Sequence, residues 1–265
     1  MSYLKESWRS WLRWLGVVAA FSIACALLSN WQFHRNEEKL AAIALVQNNW
    51  AKPVAALESL VPSAGGWSHG LEWRSASLTG RYLPAMALLV RNRPNQGQGG
   101  FEQLVPFQTD QGLVLLVSRG WLPNGDSPEL PSQNPLPSEA HRTIVVSLVE
   151  SEHHDGRMAP TGQIINIEVN RALAQLGIAH GYLGFYGRAT ADDSTDPALM
   201  AVEPPSTDPG NNLSYAIQWI AFAVMACGAL VWMFRTERDR YLGKASRPKR
   251  VRKNKSDEEI EDSLA

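Results

Sequence analysis

Few residues of this chain are of the kind that do chemistry, and they are scattered. His153-His154-Asp155 sets two imidazoles beside a carboxylate, a metal-ligating combination. Neighbouring side chains on an extended segment point to opposite faces, and Asp155-Gly156 marks a hairpin tip, so the triplet reads as an exposed turn. The glycines of RPNQGQGG, Arg93 to Gly100, follow a predicted strand but lack the lysine–serine pair and the helix that a phosphate-binding loop needs. No serine stands in a nucleophile elbow and no HExxH occurs. Cys25 and Cys227, the only cysteines, lie in apolar runs rather than in the polar middle, where a histidine could activate them. Glu72, Glu102 and Glu168 are isolated carboxylates that spacing alone does not pair. The chain therefore reads as a non-enzyme without a metal site, and a formal net charge of -1 gives no sign of a nucleic-acid partner.

Arginines are the more informative residues. Arg119, in VLLVSRGW, shares a strand face with Leu113, Leu115 and Val117 and ends a strand that should be buried. A buried guanidinium needs a partner. Two are open: an ion pair closing the end of a barrel, or an anionic ligand group such as a propionate. Arg91 and Arg93 share one face of another strand and are expected on a solvated edge.

These residues have to be positioned by a domain held between two membrane spans. Leu213 to Phe234 is 22 residues without a formal charge. As a helix it covers about 33 Å, enough for a hydrocarbon core of about 30 Å. Trp14 to Leu28 is also uncharged, and the apolar segment extends from Trp11 to Trp31 if Arg13 snorkels to the interface. The alternatives for this segment are a signal peptide cleaved near Ala24-Cys25-Ala26, or a lipoprotein through Cys25, against which Ser22 stands where leucine is usual. The two cysteines lie at depths differing by roughly 10 Å, too far for a bridge. Ten basic residues flank the spans on their terminal sides and two, Arg35 and Lys39, on the inner sides. That asymmetry predicts cytoplasmic termini and an extracytoplasmic middle. The short stretch before the first span leaves no room for a mitochondrial transit peptide, so the membrane is read as a bacterial plasma membrane. The expected organisation is a cytoplasmic N-terminus (1–13), a span (14–31), an extracytoplasmic domain (32–212), a second span (213–234) and a disordered cytoplasmic tail (235–265), whose basic part lies against anionic lipid and whose end is acidic.

Each span carries a small or polar stripe at helical spacing: Ser22, Cys25, Ser29 and Gln32 on the first, and Ser214, Gln218, Ala221, Met225 and Gly228 on the second. Either the two spans pack on each other through these faces, or a face is offered to a larger membrane partner or cofactor.

Between the spans, the first helix should continue outward until Pro53 stops it. Beyond Gly65-Gly66 the pattern becomes that of strands, predicted over 71–83, 86–93, 101–108, 112–122, 142–151, 163–169 and 182–189. A short helix over 170–176 is capped by Gly177. The fold class is thus a membrane protein with two transmembrane helices flanking a β-rich, mostly antiparallel, barrel-like α+β domain. The segment 112–121 is apolar on both faces and should be a central strand. Pro123 to Pro137, with its five prolines, reads as a long excursion from the sheet, and 192–210 as a spacer to the second span.

Several of these elements recur together in a known family. Trp31-Gln32 with Arg35 and Lys39 after the first span, Gly80-Arg81-Tyr82, Arg91 before a glycine-rich turn, Val117-Ser118-Arg119-Gly120-Trp121, and Asn211 to Trp219 before the second span follow one another in that order. The set resembles the Surfeit locus protein one family, over residues 10 to 236. The resemblance implies a membrane-bound assistant in assembly of haem-copper cytochrome c oxidase, acting on the core subunit at insertion of its a-type haem, with that subunit and haem-synthesis or other assembly proteins as partners alongside membrane lipid. On it, Trp31, Gln32, Arg35, Trp121, Gln218 and Trp219 are candidates for partner contact, and His34, Arg119, Asn212 and Tyr215 for transient binding of a-type haem. The family commonly has a histidine, regarded as a haem ligand, where Asn212 stands here. Asparagine does not ligate haem iron as imidazole does, which leaves His34 at the same interface as the substitute. A permanent accessory subunit of the respiratory oxidase is the alternative function, and a membrane-anchored hydrolase a third.

Overall fold

The computed structural model describes residues 2–191, 196–202 and 204–243, so most of the expected tail lies outside the described residues. The chain divides into two compact units, one comprising 1–38 with 209–265 and the other 39–208.

The first unit is built from helix α1 (Ser2–Trp50), up to Glu38, and helix α4 (Asn212–Tyr241), running antiparallel. Both are long and apolar enough to cross a membrane. Small residues let them approach. The Ser29 hydroxyl donates to the Ala216 carbonyl at 2.9 Å, Ser22 Oγ lies 3.8 Å from Cys227 Sγ, and the Trp11 and Phe234 rings meet edge to face at 5.1 Å. The first expected stripe is the seam: Cys25 and Ser29 are buried, and Ser22 and Gln32 are half-buried. On α4 the seam instead runs through Ala216, Trp219, Ala223, Ala226 and Leu230. All five members of the stripe expected there, Ser214, Gln218, Ala221, Met225 and Gly228, face outward. Helix α4 has small residues on two faces, and periodicity alone does not choose between them.

In the second unit α1 ends at Trp50, because Pro53 disfavours helical geometry in the residue before it. Strand β1 (Ala55–Ala56) and helix α2 (Leu57–Leu60) follow, then β2 (Ser75–Tyr82), β3 (Leu88–Asn95), β4 (Gln98–Thr109), β5 (Val114–Pro123), β6 (Arg142–Glu150), β7 (Gln163–Ile164), helix α3 (Val169–Gln175) and β8 (Phe185–Ala191). The order is β1-β2-β6-β8-β5-β4-β3-β7, and a further β2–β4 pairing closes the five strands β2, β6, β8, β5 and β4 into a ring. Long strand β4 makes this possible by changing partner along one edge. Its first part pairs with β3, and Phe107 to Thr109 pair with Tyr82 to Gly80. Pro106, which has no N–H to donate, sits between the two partners, and its carbonyl accepts from Leu83 N at 2.8 Å.

Strand alternation fills the ring. Leu78 and Tyr82 from β2, Val105 and Phe107 from β4, Leu115 and Val117 from β5, and Ile144, Val146 and Leu148 from β6 form the interior with Phe185. Leu116, on the opposite face of β5, lies with Leu104 and Tyr186 against Val169, Ala172 and Leu173 of α3. Strand β5 is therefore buried on both faces, which is why Val114 to Val117 are all apolar. Fully burying such a side chain contributes about 1.5–3 kcal/mol. Helix α3 ends at Gly177, with φ of 69°: Gly177 N donates to Ala174 O and Ile178 N to Leu173 O, a Schellman cap.

The glycine-rich turn has a purely structural use. Gln96 and Gly97, at φ of 50° and 79°, form the two-residue loop of the β3–β4 hairpin, whose twist suits antiparallel strands. Three expectations are corrected. Asp155-Gly156 is not a hairpin tip, because β6 pairs with β2 and β8 and the chain crosses to β7 through an irregular loop; its histidines are exposed as expected. The strand expected over 163–169 is only Gln163–Ile164, since Val169 already begins α3. The segment after 192 is more than a spacer: Met200 exchanges both backbone hydrogen bonds with Trp121, at 2.7 and 2.8 Å, and Leu199 packs with Phe101 and Leu122.

Candidate functional site

Two β-bulges, one in β3 and one in β5, place the charged side chains of this domain. In β3, Val90 pairs with Glu102 but Arg93 with Gly100, so one extra residue is accommodated at Asn92, in the left-handed region at φ of 56°. In β5, Gly120 pairs with Gln103 and Ser118 with Leu104, which makes Arg119 the residue bulged out of register. Both bulges re-aim an arginine.

Arg93 does not lie on a solvated edge. Its Nη2 donates to both carboxylate oxygens of Glu152 at 2.7 Å, and its Nε lies 3.6 Å from Glu102. Glu102 is buried and accepts from the Ser118 hydroxyl at 2.8 Å, while Glu152 also accepts from Ile167 N at 2.9 Å. The Arg93 carbonyl accepts from the Trp121 indole at 2.7 Å. Burial works against the charge on Arg93, but Glu102 and Glu152 outweigh it and raise its pKa. The Trp121 of the RGW element thus anchors the strand that carries this ion pair.

Arg119 is buried on the interior side. Its Nη1 donates to Gln103 Oε1 at 2.5 Å and to Pro135 O at 3.2 Å, and its guanidinium lies over the Tyr82 ring at 5.3 Å. Gln103 in turn donates to Asn134 Oδ1 and Pro135 O. The proline-rich excursion therefore folds back over Arg119 rather than leaving the sheet. A Gly-Arg-Tyr element, the RGW element and the proline segment converge here, linked by a cation held against an aromatic face.

Tyr186, buried beside this network, has its phenol pKa raised first by burial, with Glu102 and Glu152 adding to the rise and Arg188 and Arg93 opposing it. A raised folded-state value means stability that is complete below about pH 10, where the unfolded tyrosine begins to ionise, and that is lost as pH climbs further. Tyr186→Phe is expected to flatten the fall in stability above pH 10, as read from urea midpoints between pH 8 and 11. An unaltered slope would place the alkaline loss elsewhere.

The remaining predicted site residues belong to the helical unit. Trp31, His34 and Arg35 on α1 and Tyr215 and Gln218 on α4 are exposed; Gln32, Asn212 and Trp219 are half-buried. With Ser29 level with Ala216, the antiparallel register sets His34 at the height of Asn212. His34 lies 3.6 Å from Glu37 and Arg35 3.0 Å from Glu38, both exposed pairs of little energetic weight. Among the described residues, Gln32 Oε1 is buried without a hydrogen-bond partner. The structure therefore places Arg119 with Trp121 in the ring, and Trp31, Gln32, His34, Arg35, Asn212 and Tyr215 near one height of the helical pair, with Gln218 and Trp219 about two turns deeper. The ion-pair network of Arg93, Ser118 and Glu152 was not foreseen. Glu152 lies two residues beyond β6, and nothing in its spacing points to Arg93.

Among the described residues no serine or cysteine is hydrogen-bonded to a histidine, so no nucleophile–base pair is assembled. The fold and site define a class: a small closed β-ring with buried arginine networks, flanked in the chain by two helices long and apolar enough to cross a membrane. The chain belongs to the SURF1 family, which it matches over residues 19–224. It is 30% identical to an uncharacterised SURF1-like protein of Mycobacterium tuberculosis over 82% of this chain and 80% of that one. It is also 30% identical to the cytochrome oxidase assembly protein SHY1 of Saccharomyces cerevisiae, over 49% of this chain and 34% of SHY1. A SURF1-like protein of Rickettsia bellii matches 38% of this chain at 29% identity.

Proposed function

We propose that this protein is an assembly factor for cytochrome c oxidase, anchored in the bacterial plasma membrane with both termini in the cytoplasm, that holds the haem-copper core subunit while it matures. Family membership and the name of the yeast relative support the oxidase role. The observation that carries the holding role is the outward face of α4. Ser214 and Gln218 point away from α1, and Gln218 has no hydrogen bond among the described residues. A side-chain amide facing hydrocarbon is costly unless a neighbouring helix answers it. The core subunit's own helices supply that neighbour.

Haem handling follows from the same level of the helical pair. The Asn212 amide does not fit the ligation that the resemblance implies. His34 is the single imidazole of that unit and is exposed, so iron ligation falls to it when a-type haem passes through. Two experiments test this. Deletion of the gene is expected to lower the a-type haem content of the oxidase, and unchanged content refutes the assembly role; stoichiometric presence in the purified active oxidase would instead make the protein a permanent subunit. The protein purified from cells that make a-type haem is expected to show a Soret band that His34→Ala abolishes and Asn212→Ala leaves. Colourless wild-type protein would leave the holding role alone.

A further inference from the structure

A cluster of metal-type donors lies outside the arginine networks. His69 opens a single 3-10 turn, His69–Leu71, that Glu72 follows directly, and Glu150 closes β6. His69 Nδ1 lies 2.6 Å from Glu150 Oε2 and 3.7 Å from Glu72 Oε2, and one donor atom from each of the three residues falls within 4.8 Å of the others.

The scaffold that sets these positions is firm. The buried amide of Asn49 donates to the carbonyls of Gly70 and Glu72, both at 2.8 Å, clamping the turn from beneath. Trp73 N donates to Leu148 O and Leu148 N to Arg74 O, at 2.7 and 2.9 Å, which ties the turn to β6 two residues before Glu150. Trp73 takes the left-handed conformation, φ of 66°, where the chain doubles back from Glu72 into β2. His69 and Glu72 also line a cleft of 330 Å³ with Ile43, Val46 and Pro205, so the donors are reachable from solvent.

We propose that His69, Glu72 and Glu150 form a binding site for a divalent first-row cation of the zinc type. One imidazole nitrogen and two carboxylates suit Zn²⁺, and the absence of sulfur disfavours Cu(I). Four tetrahedral donors at bond lengths of about 2.0–2.1 Å lie about 3.3 Å from one another, so the cluster needs only a small opening of the His69–Glu150 contact. Two carboxylates against one imidazole leave a negative excess that a divalent ion neutralises. Three protein ligands leave a fourth position for water or a small anion. The short His69–Glu150 contact requires a proton between the two atoms, and a neutral imidazole carries that proton on its other ring nitrogen once Nδ1 takes the ion.

The test is a Zn²⁺ titration of the full-length, chelator-stripped protein in detergent by calorimetry. One saturable site is expected. His69→Ala and Glu150→Gln should each weaken it at least tenfold, while His153→Ala/His154→Ala should not change it. Co²⁺ should give visible bands of nitrogen–oxygen coordination in wild type that His69→Ala removes, with near-ultraviolet dichroism confirming that the variant is folded. Equal affinity in wild type and His69→Ala, loss of binding in the His153/His154 variant, or sulfur in the cobalt spectrum would each overturn the site.

Discussion

Gly80→Ala is expected to be among the most destabilising single-methyl substitutions in this protein. Gly80 faces Thr109 where β2 meets β4, the pairing that turns an open sheet into a ring. A Cβ there would run into the Gln108 carbonyl oxygen and lie 2.9 Å from both the Gln108 carbonyl carbon and Thr109 Cα. All three are backbone atoms, which cannot swing aside as a side chain can. Inserting a methyl group into a well-packed interior costs about 1–3 kcal/mol, and this case belongs at the upper end or beyond. A loss of about 3 kcal/mol corresponds to a fall of about 6–12 °C in the midpoint for a domain of this size. Thermal unfolding of the detergent-solubilised protein, followed by tryptophan fluorescence, would measure it. Gly65→Ala, where a Cβ meets nothing within 4 Å, is the control and should stay within about 0.5 kcal/mol of wild type. Comparable midpoints for the two variants would mean that the β2–β4 closure contributes little.

Arg93→Met should have an effect of similar size by an electrostatic route. Removing the guanidinium leaves Glu102, whose side chain is 6% exposed, facing Glu152 with no cation between them. Deleting one partner of a buried ion pair typically costs about 3–5 kcal/mol, because the remaining charge stays desolvated. A double-mutant cycle separates this from lost packing: Glu102→Gln in the Arg93→Met background should recover part of the loss, with a coupling of about 1–3 kcal/mol. Strict additivity would show that Arg93 acts through its methylenes rather than its charge. Because the Arg93 carbonyl also receives the Trp121 indole, the two variants are expected to shift tryptophan emission as well as stability.

Much of this architecture is legible in the sequence. The uncharged runs gave both helices, and the doubly apolar pattern of Gly112 to Trp121 marked a strand covered on both faces. Gly177 fixed the end of α3 because only a residue without a Cβ adopts left-handed geometry there at little cost. What escaped was whatever depends on register. The bulges at Asn92 and Arg119 insert one residue each, and a one-residue shift reverses which face a side chain takes. That is why Arg93, expected at a solvated edge, meets Glu102 and Glu152 instead. The outward stripe of α4 escaped for a related reason: small residues occupy two faces of that helix, and composition does not say which one meets α1. The Leu199-Met200 pair was hidden in a proline-rich segment whose composition reads as a linker, although the pair itself is apolar enough to dock. At the helical level, Asn212 and His34 were recognisable from their place in the chain, while the unpartnered Gln32 oxygen was not.

The place of β8 in the ring governs when the ring can form. Its strand inserts between β5 and β6, pairing in parallel with Val117 and Ser118 and antiparallel with Val145 to Glu150. It is also the last strand of the sheet in chain order. A growing polypeptide therefore exposes the unsatisfied edges of β5 and β6 until residue 191 has emerged, shortly before α4. Contacts so distant along the chain form slowly, and open edges recruit other strands. The nascent domain should be most vulnerable to proteases and to aggregation in that interval, and truncations before Phe185 should behave as chaperone clients rather than as smaller folded proteins.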